Sequence, residues 1–427
     1  MIEKTIIGIL CKAPSLLPQV RLRPEDFEES HCALAFGAIR SCVAEGLQPD
    51  ALLVSERMPG GMAENLAAII EWTKEAVASE ATLRTWVEKI RERSRASKLK
   101  ALLEIESRSE DGVDVIRSRL MNQLASLEDD DQSWETGGKE WMTEVIDKVD
   151  EVYTARVEGK KTIGIPTGLS EMDTILGGFQ KSHLIVMGAR PKMGKSAWMM
   201  NAVKAAAKSG ARVGIASAEM PAYQLGQRLV SDIANLSAFV FQDGNLSESQ
   251  FSALTTGAIQ VSELPIRIYS KPGMTPGDIA LQARAWQSSA GLDIMFIDYL
   301  TRLRPDSPSR DRVREVGSMV SSLKTLALSL NIPVVCLAQL SRNLEQRADK
   351  RPVPSDLRDS GEVEQEADIV MFLYREAVYN KDANPKSGEI IVAANRHGPS
   401  GIIPCEFDGE FMRWTGREMH NEDRGYW

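Results

Sequence analysis

Cysteine is scarce. The 427-residue chain holds five, Cys11, Cys32, Cys42, Cys336 and Cys405, and no two stand in a C-x-x-C spacing. That argues against a disulfide framework or a zinc ribbon and predicts free thiols in a reducing compartment. Histidine is rarer still: His31, His183, His397 and His420 are too scattered to predict a metal cluster. Long apolar runs are missing, and the richest, such as His183–Ala189, are far shorter than a membrane span. Met1–Ile9 carries Glu3 and Lys4 and lacks a small-residue cleavage site, so no secretory leader and a cytoplasmic location are expected. An excess of positive charge is also absent. The net charge of −9 argues against a chain coated in basic surface, yet leaves room for a local basic channel.

What is present is an ordinary globular balance, 43% hydrophobic and 26% charged residues, over a length that predicts two or three units. Residues 1 to about 92 read as helices. Ile6, Ile7, Ile9 and Leu10 form one apolar stripe, and Leu34, Phe36, Ile39, Cys42 and Val43 form another. Pro14, Pro18 and Pro24 separate them, and Pro24-Glu25-Asp26-Phe27 reads as a turn or short helical start. Val87–Arg108 and Val113–Leu127 are amphipathic runs joined by Ser109-Glu110-Asp111-Gly112, a pattern that predicts an antiparallel helical hairpin over about 93–127. A polar linker follows over 128–159, with the acidic run Glu128–Asp131 and with Gly137-Gly138. Within it Trp141, Val145, Ile146, Val149 and Tyr153 recur at helical spacing, predicting a helix over about Lys139–Ala155. Its apolar face must be buried either on its own domain or on a neighbouring subunit.

From about 160 to 427 the pattern alternates. Strand-like runs at His183–Ala189, Arg212–Ser217, Asp293–Tyr299, Pro333–Gln339 and Asp368–Tyr374 are interspersed with helical runs such as Lys195–Lys208 and Arg312–Leu330. This predicts an α/β domain with a central, mostly parallel sheet flanked by helices. Glu389–Ala394 and Gly401–Phe407 flank His397-Gly398-Pro399-Ser400 as a hairpin.

The strongest chemical signal is Ala189-Arg190-Pro191-Lys192-Met193-Gly194-Lys195-Ser196, followed by Ala197. It is a phosphate-binding loop between a strand and a helix. Inward-pointing amides bind phosphate oxygens, Gly194 permits close approach, Lys195 supplies a point charge, and Ser196 offers a hydroxyl to Mg²⁺. Ala189 stands where the strict pattern has glycine. Ile294–Ile297 run into Asp298, a carboxylate suited to holding Mg²⁺ or its waters. Glu219, just after the second strand, is the candidate for orienting an attacking water. Gln339, at the end of an apolar strand, is suited to sensing the γ-phosphate. The loop from Ser341-Arg342-Asn343 to Asp356–Glu362, and the stretch with Arg304, Arg310, Arg312 and Arg314, can contact a phosphodiester backbone or be solvated faces. Arg396, at the hairpin, is a candidate for neutralising charge at another subunit's nucleotide.

In their order, these blocks resemble the DnaB family of replicative, ring-forming DNA helicases. Beyond the phosphate loop the likeness is carried by Gly164-Ile165-Pro166-Thr167-Gly168, Leu169–Asp173, Ser217-Ala218-Glu219-Met220-Pro221 and Asp298-Tyr299-Leu300. It continues through Gln339-Leu340-Ser341-Arg342, Asp356–Gly361 and Arg396-x-Gly398-Pro399, with a weaker likeness over residues 3–60. The resemblance implies a RecA-like C-terminal ATPase domain, an all-α N-terminal domain, ATP and Mg²⁺ as cofactors, and a homo-hexamer on single-stranded DNA. It also implies a primase and a helicase loader as partners, with travel from 5′ to 3′. By the same resemblance Lys195 and Ser196 bind phosphate and Mg²⁺, Asp298 is the metal partner and Glu219 the catalytic base. Arg228 lies near the base, Arg358, Asp359 and Gly361 hold DNA in the pore, and Arg396 is the trans-acting finger. Three positions depart from the family pattern. Ala394 replaces a lysine, Lys192 replaces a small residue and Ala218 replaces a leucine, which suggests a divergent member encoded by a bacterium, a phage or a prophage. Two other readings share part of the pattern: a RecA-like filament-forming ATPase, and a DNA- or partner-binding ring in which ATP is only structural.

Overall fold

The computed structural model describes residues 2–417 except 21, 77–79, 110, 112–115, 117–118, 121–122, 124–137, 158, 160–161, 307–310 and 358–359. Most of Val113–Leu127, the acidic run Glu128–Asp131, Arg310, Arg358 and Asp359 therefore lie outside the described residues. The chain divides into two units, Met1–Asp131 and Gln132–Trp427.

In the first unit, α1 (Ile2–Lys12), α2 (Ser30–Ala44), α3 (Ala51–Arg57), α4 (Met62–Glu75) and α5 (Glu80–Ser107) surround a core that includes Ile6, Ile7, Leu10, Phe36, Ile39 and Trp72. Leu34 is turned outward, so the second sequence stripe is narrower than its composition suggests. Short 3₁₀ turns at Pro14–Gln19 and Pro24–Asp26 make the proline-marked connections, where proline's fixed φ suits a first turn. The amphipathic run Val87–Arg108 belongs, up to Ser107, to α5, which begins earlier and runs unbroken for 28 residues across the change of texture near residue 93. Arg93 on α5 reaches back to Glu3 of α1, and Glu3 also accepts the amides of Glu28 and Glu29, each at 3.1 Å. A buried carboxylate is thus fully partnered, as burial demands.

The second unit opens with α6 (Gly138–Val157) and α7 (Ser170–Leu176). Next come β1 (Leu184–Ala189), α8 (Lys195–Lys208), β2 (Val213–Ser217), α9 (Ala222–Ala234), α10 (Val240–Asp243) and α11 (Glu248–Ser262). They are followed by β3 (Ile266–Ser270), α12 (Pro276–Ala290), β4 (Ile294–Asp298), α13 (Arg312–Leu330), β5 (Val334–Gln339) and α14 (Ser360–Glu366). The strands that remain are β6 (Ile369–Tyr374), β7 (Ser387–Asn395), β8 (Gly401–Asp408) and β9 (Arg413–Gly416). Among the described residues the strands form one sheet in the order β3-β2-β4-β5-β1-β6-β7-β8-β9. The first six are parallel, and β7, β8 and β9 continue antiparallel. The central strands read as unbroken apolar runs because both faces are covered: Ile185 and Met187 pack into one core, Leu184 and Val186 into the other. Two edge-side strands, β3 and β9, are not among the strand-like runs of the sequence. Their burial is partial, so no apolar run marks them. No described helix is long and apolar enough to cross a membrane.

The described residues leave the apolar stripe of α6 uncovered: Trp141, Val145, Ile146, Val149 and Tyr153 are all exposed, Tyr153 by 66%.

Candidate active site

The phosphate loop leaves the tip of β1 and enters α8 through two left-handed residues, Lys192 (φ 69°) and Gly194 (φ 88°). Successive turns of this kind aim backbone amides into one concavity, suited to anions. Glycine is required at 194, because a Cβ there would lie 2.9 Å from Phe407 and 3.0 Å from Trp414. The indole N–H of Trp414 donates to the Gly194 carbonyl at 3.1 Å, so β8 and β9 close the back of the loop. Lys192 adopts its left-handed backbone without glycine's freedom, at a cost of about 1–2 kcal/mol, and its carbonyl accepts from Arg375 at 3.4 Å.

The loop lines a cleft of about 470 Å³ together with Ala197, Glu219, Arg228, Tyr299, Gln339, Phe407 and Met412. Parallel pairing aligns the acids. Ser217, the last residue of β2, lies opposite Asp298, the last of β4, and the Ala218 amide donates to the Asp298 carbonyl at 2.8 Å. The Ser217 hydroxyl closes the next turn by donating to the Met220 carbonyl at 2.7 Å, which holds Glu219 at the cleft.

Asp298 is wholly buried. The Ser196 hydroxyl donates to its Oδ2 at 3.3 Å, and Lys195 Nζ lies 4.0 Å from Oδ1. Burial pushes the Asp298 carboxyl above the usual carboxylate range; Lys195 opposes that shift and Glu219 adds to it. Burial likewise lowers Lys195, with Asp298 and Glu219 opposing. The ammonium also lies 3.9 Å from the Tyr299 ring centroid, a cation–π contact. Arg228, on α9, is lowered by burial and feels both acids.

Asp298 Oδ1 is buried with no hydrogen-bond partner. Beside it stands the Ser196 hydroxyl, and two hard oxygens facing a phosphate cradle fit Mg²⁺, which takes few protein ligands and completes its shell with phosphate and water. Among the described residues there is no group of three or more His, Cys, Asp or Glu placed to hold a metal.

Not every other candidate reaches the cleft as Gln339 does. Gln339 ends β5 directly opposite Ala189. Met193 faces the core rather than the cleft. Arg190 shapes the loop with its backbone, but its guanidinium is engaged by Leu340 and Glu345. Arg342 is exposed at the start of the 3₁₀ turn Arg342–Gln346, and Gly361 lies in α14. Arg312 pairs with Glu315 at 2.9 Å and Arg314 with Asp311 at 3.6 Å, so both are partly neutralised.

Arg396 lies at the other end of the strands. β7 runs antiparallel to β6, so Asn395 pairs with Ile369 at the start of β6, whereas Ala189 pairs with Leu373 near its end. At about 3.3 Å per residue the arginine is roughly 15 Å along the strands from its own cleft. There its amide donates to the Asp368 carbonyl at 2.9 Å, and the neighbouring His397 ring stacks on His183 at 4.7 Å. Sequence reasoning missed Tyr299, Phe407, Met412 and Trp414. The alternation of Cys405, Phe407 and Trp414 toward the core was the available signal, but only the fold brings them to the loop.

Comparison with known proteins agrees with this geometry. Residues 164–416 match the family model "DnaB-like helicase C terminal domain" and residues 1–92 match "DnaB-like helicase N terminal domain". The replicative DNA helicase DnaB of Geobacillus stearothermophilus is 32% identical over 434 residues, covering 99% of this chain and 95% of the relative. The replicative DNA helicase DnaC of Bacillus subtilis (strain 168) is 37% identical over 290 residues, covering 67% of this chain but only 63% of that protein. Among solved structures, a DnaB-like replicative helicase studied with primase superimposes at a TM-score of 0.66 with 24% identity, over 98% of this chain and 99% of the other. A second solved structure, an ATPase domain, superimposes at 0.60 with 30% identity, over 64% of this chain and 99% of the other. With both family models matched in order, and a relative aligned along nearly its whole length, the chain belongs to the DnaB-like helicase family.

Proposed function

We propose that the protein is an ATP-driven replicative DNA helicase, a hexameric ring that moves along single-stranded DNA and excludes the complementary strand. One observation carries this reading: the cleft assembles a cradle and a candidate base, with buried Asp298 directly behind Ser196, while Arg396 stands at the opposite end of the strands. Head-to-tail packing brings such ends together and closes into a ring.

The loop amides and Lys195 bind the β- and γ-phosphates. Ser196 and Asp298 would hold Mg²⁺, which would neutralise phosphate charge there. Glu219 accepts a proton from water as its oxygen bonds to the γ-phosphorus. The bond to the β–γ bridging oxygen breaks, and that oxygen leaves with ADP. Arg396 of the neighbouring subunit neutralises charge on the transferring group. Gln339 senses the loss of the γ-phosphate and passes it to the segment carrying Arg342. Arg342, Arg358, Asp359 and Gly361 hold the DNA backbone. Backbone contacts make binding weakly sequence-dependent and strongly salt-dependent, and a chain of net charge −9 sustains this if positive potential is confined to the pore.

The exposed α6 stripe supports docking on the adjacent subunit. We assign residues 1–127 to the helical N-terminal domain, 128–159 to the linker and 160–427 to the motor. A primase and a helicase loader are the expected partners, in a bacterial cytoplasm. Ala394, on β7 opposite Val370 of β6, leaves one cation fewer beside Arg396 than the family pattern. The test is ATP hydrolysis with and without single-stranded DNA, followed by unwinding of forks with 5′ or 3′ tails and electron microscopy of the assembly. Closed rings and DNA-stimulated unwinding support the reading. Filaments, or ATP binding without turnover, overturn it.

A further inference from the structure

Arg190 follows β1 directly in the phosphate loop, yet its side chain is held outside the phosphate cradle. It is 8% exposed. Its Nη1 donates to the Leu340 carbonyl at 2.9 Å, and its Nε and Nη2 both donate to Glu345 Oε1, at 2.9 and 2.7 Å. These acceptors flank Arg342, the exposed candidate DNA contact. Glu345 shares the single 3₁₀ turn that Arg342 begins, and buried Leu344 pins that turn to the body. Leu340 also bridges to Leu357, and the Ser341 amide donates to the Asp356 carbonyl at 2.8 Å, so both arms of the 340–357 excursion meet at this point. Arg347 fixes the return arm through Asp356 at 2.7 Å.

We propose that Arg190 and Glu345 are positioning residues forming a charged latch that transmits the state of the phosphate loop to the DNA-contacting arm. This rests on the helicase reading above. The latch is a second route, separate from Gln339, which acts through the strand end. Geometry favours transmission over mere support. The guanidinium is planar and buried, and its fork lies on the carboxylate of Glu345, whose side chain is 45% exposed on a surface turn. A shift of the loop backbone at 190 therefore moves Glu345, and Arg342 with it, as one piece.

The test uses the full-length assembled protein with Glu345→Ala and Glu345→Gln. Steady-state ATP hydrolysis is measured with and without oligo-dT, and oligo-dT affinity by fluorescence anisotropy with ADP and with a non-hydrolysable ATP analogue. The latch predicts unchanged basal kcat and KM, a loss of DNA stimulation of about fivefold or more, and oligo-dT affinity that no longer differs between the two nucleotides. The exchange Arg190→Glu with Glu345→Arg should recover part of the stimulation lost in Arg190→Glu alone. Stimulation equal to wild type in both Glu345 variants would overturn the latch. So would a basal kcat that falls in step with the stimulated one, which makes the pair a prop for the loop. A wild-type protein that neither hydrolyses ATP nor responds to oligo-dT sinks the helicase reading itself, and the latch with it.

Discussion

Gly194 has no room for a methyl group, and the aromatic side chains that fill that room come from more than two hundred residues away. This is the residue-scale limit of legibility. The phosphate loop, Asp298 and Glu219 can be read from local pattern because chemistry dictates both residue type and place in a strand–turn–helix. Phe407 and Trp414 obey only packing: local alternation can mark a core-facing side chain, but nothing local ties either one to the loop. For the acids the expected behaviour is specific. Glu219→Gln should bind ATP as wild type does while kcat falls by about 10²–10⁴, seen as fluorescent-nucleotide affinity against phosphate release. His183 gives the pH dependence. Burial lowers its imidazole from 6.5 to about 4, against the attraction of Asp368. Between those values His183 carries a proton in the unfolded chain that the folded chain rejects, so its contribution to stability is complete above about 6.5 and declines as pH falls toward 4. Urea unfolding of wild type and His183→Phe at pH 7 and pH 5 measures this: the substitution should flatten the slope and retain a ring to stack on His397.

At the scale of elements, the parallel strands are legible because burial on both faces makes them apolar throughout, whereas β3 and β9 are not because they are partly exposed. The unbroken α5 shows the converse. A change in sequence texture near residue 93 is not a change in structure, since polar and apolar stretches alike propagate a helix once it is nucleated. The helix α6 is the element whose sequence and structure speak together. Its stripe predicts a buried face, and the described residues leave that face in water. Full burial of a large apolar side chain contributes about 1.5–3 kcal/mol, and half-exposed residues keep roughly half of that for a partner. Ile146→Asp with Val149→Asp should leave each chain folded but shift the assembly to smaller species, read by sedimentation velocity and circular dichroism.

For the whole molecule, the decisive feature is that the phosphate cradle and Arg396, the candidate finger, lie at opposite ends of the strands of one sheet. If each site is shared, two separately inactive proteins should rescue each other. Lys195→Ala lacks a working cradle and Arg396→Ala lacks the finger. In a ring mixed from equal amounts, about a quarter of interfaces pair an intact cradle with an intact finger. ATPase activity should reappear on mixing, reach a maximum near equal proportions, and be absent from either protein alone.

On that arrangement the reversal of β7 carries a meaning for the cell. If the site is shared, a newly made, solitary chain would hold half a catalyst and leave the energy supply untouched. Fuel consumption would then begin only when copies find one another, and the engine would be throttled by its own abundance without any separate inhibitor.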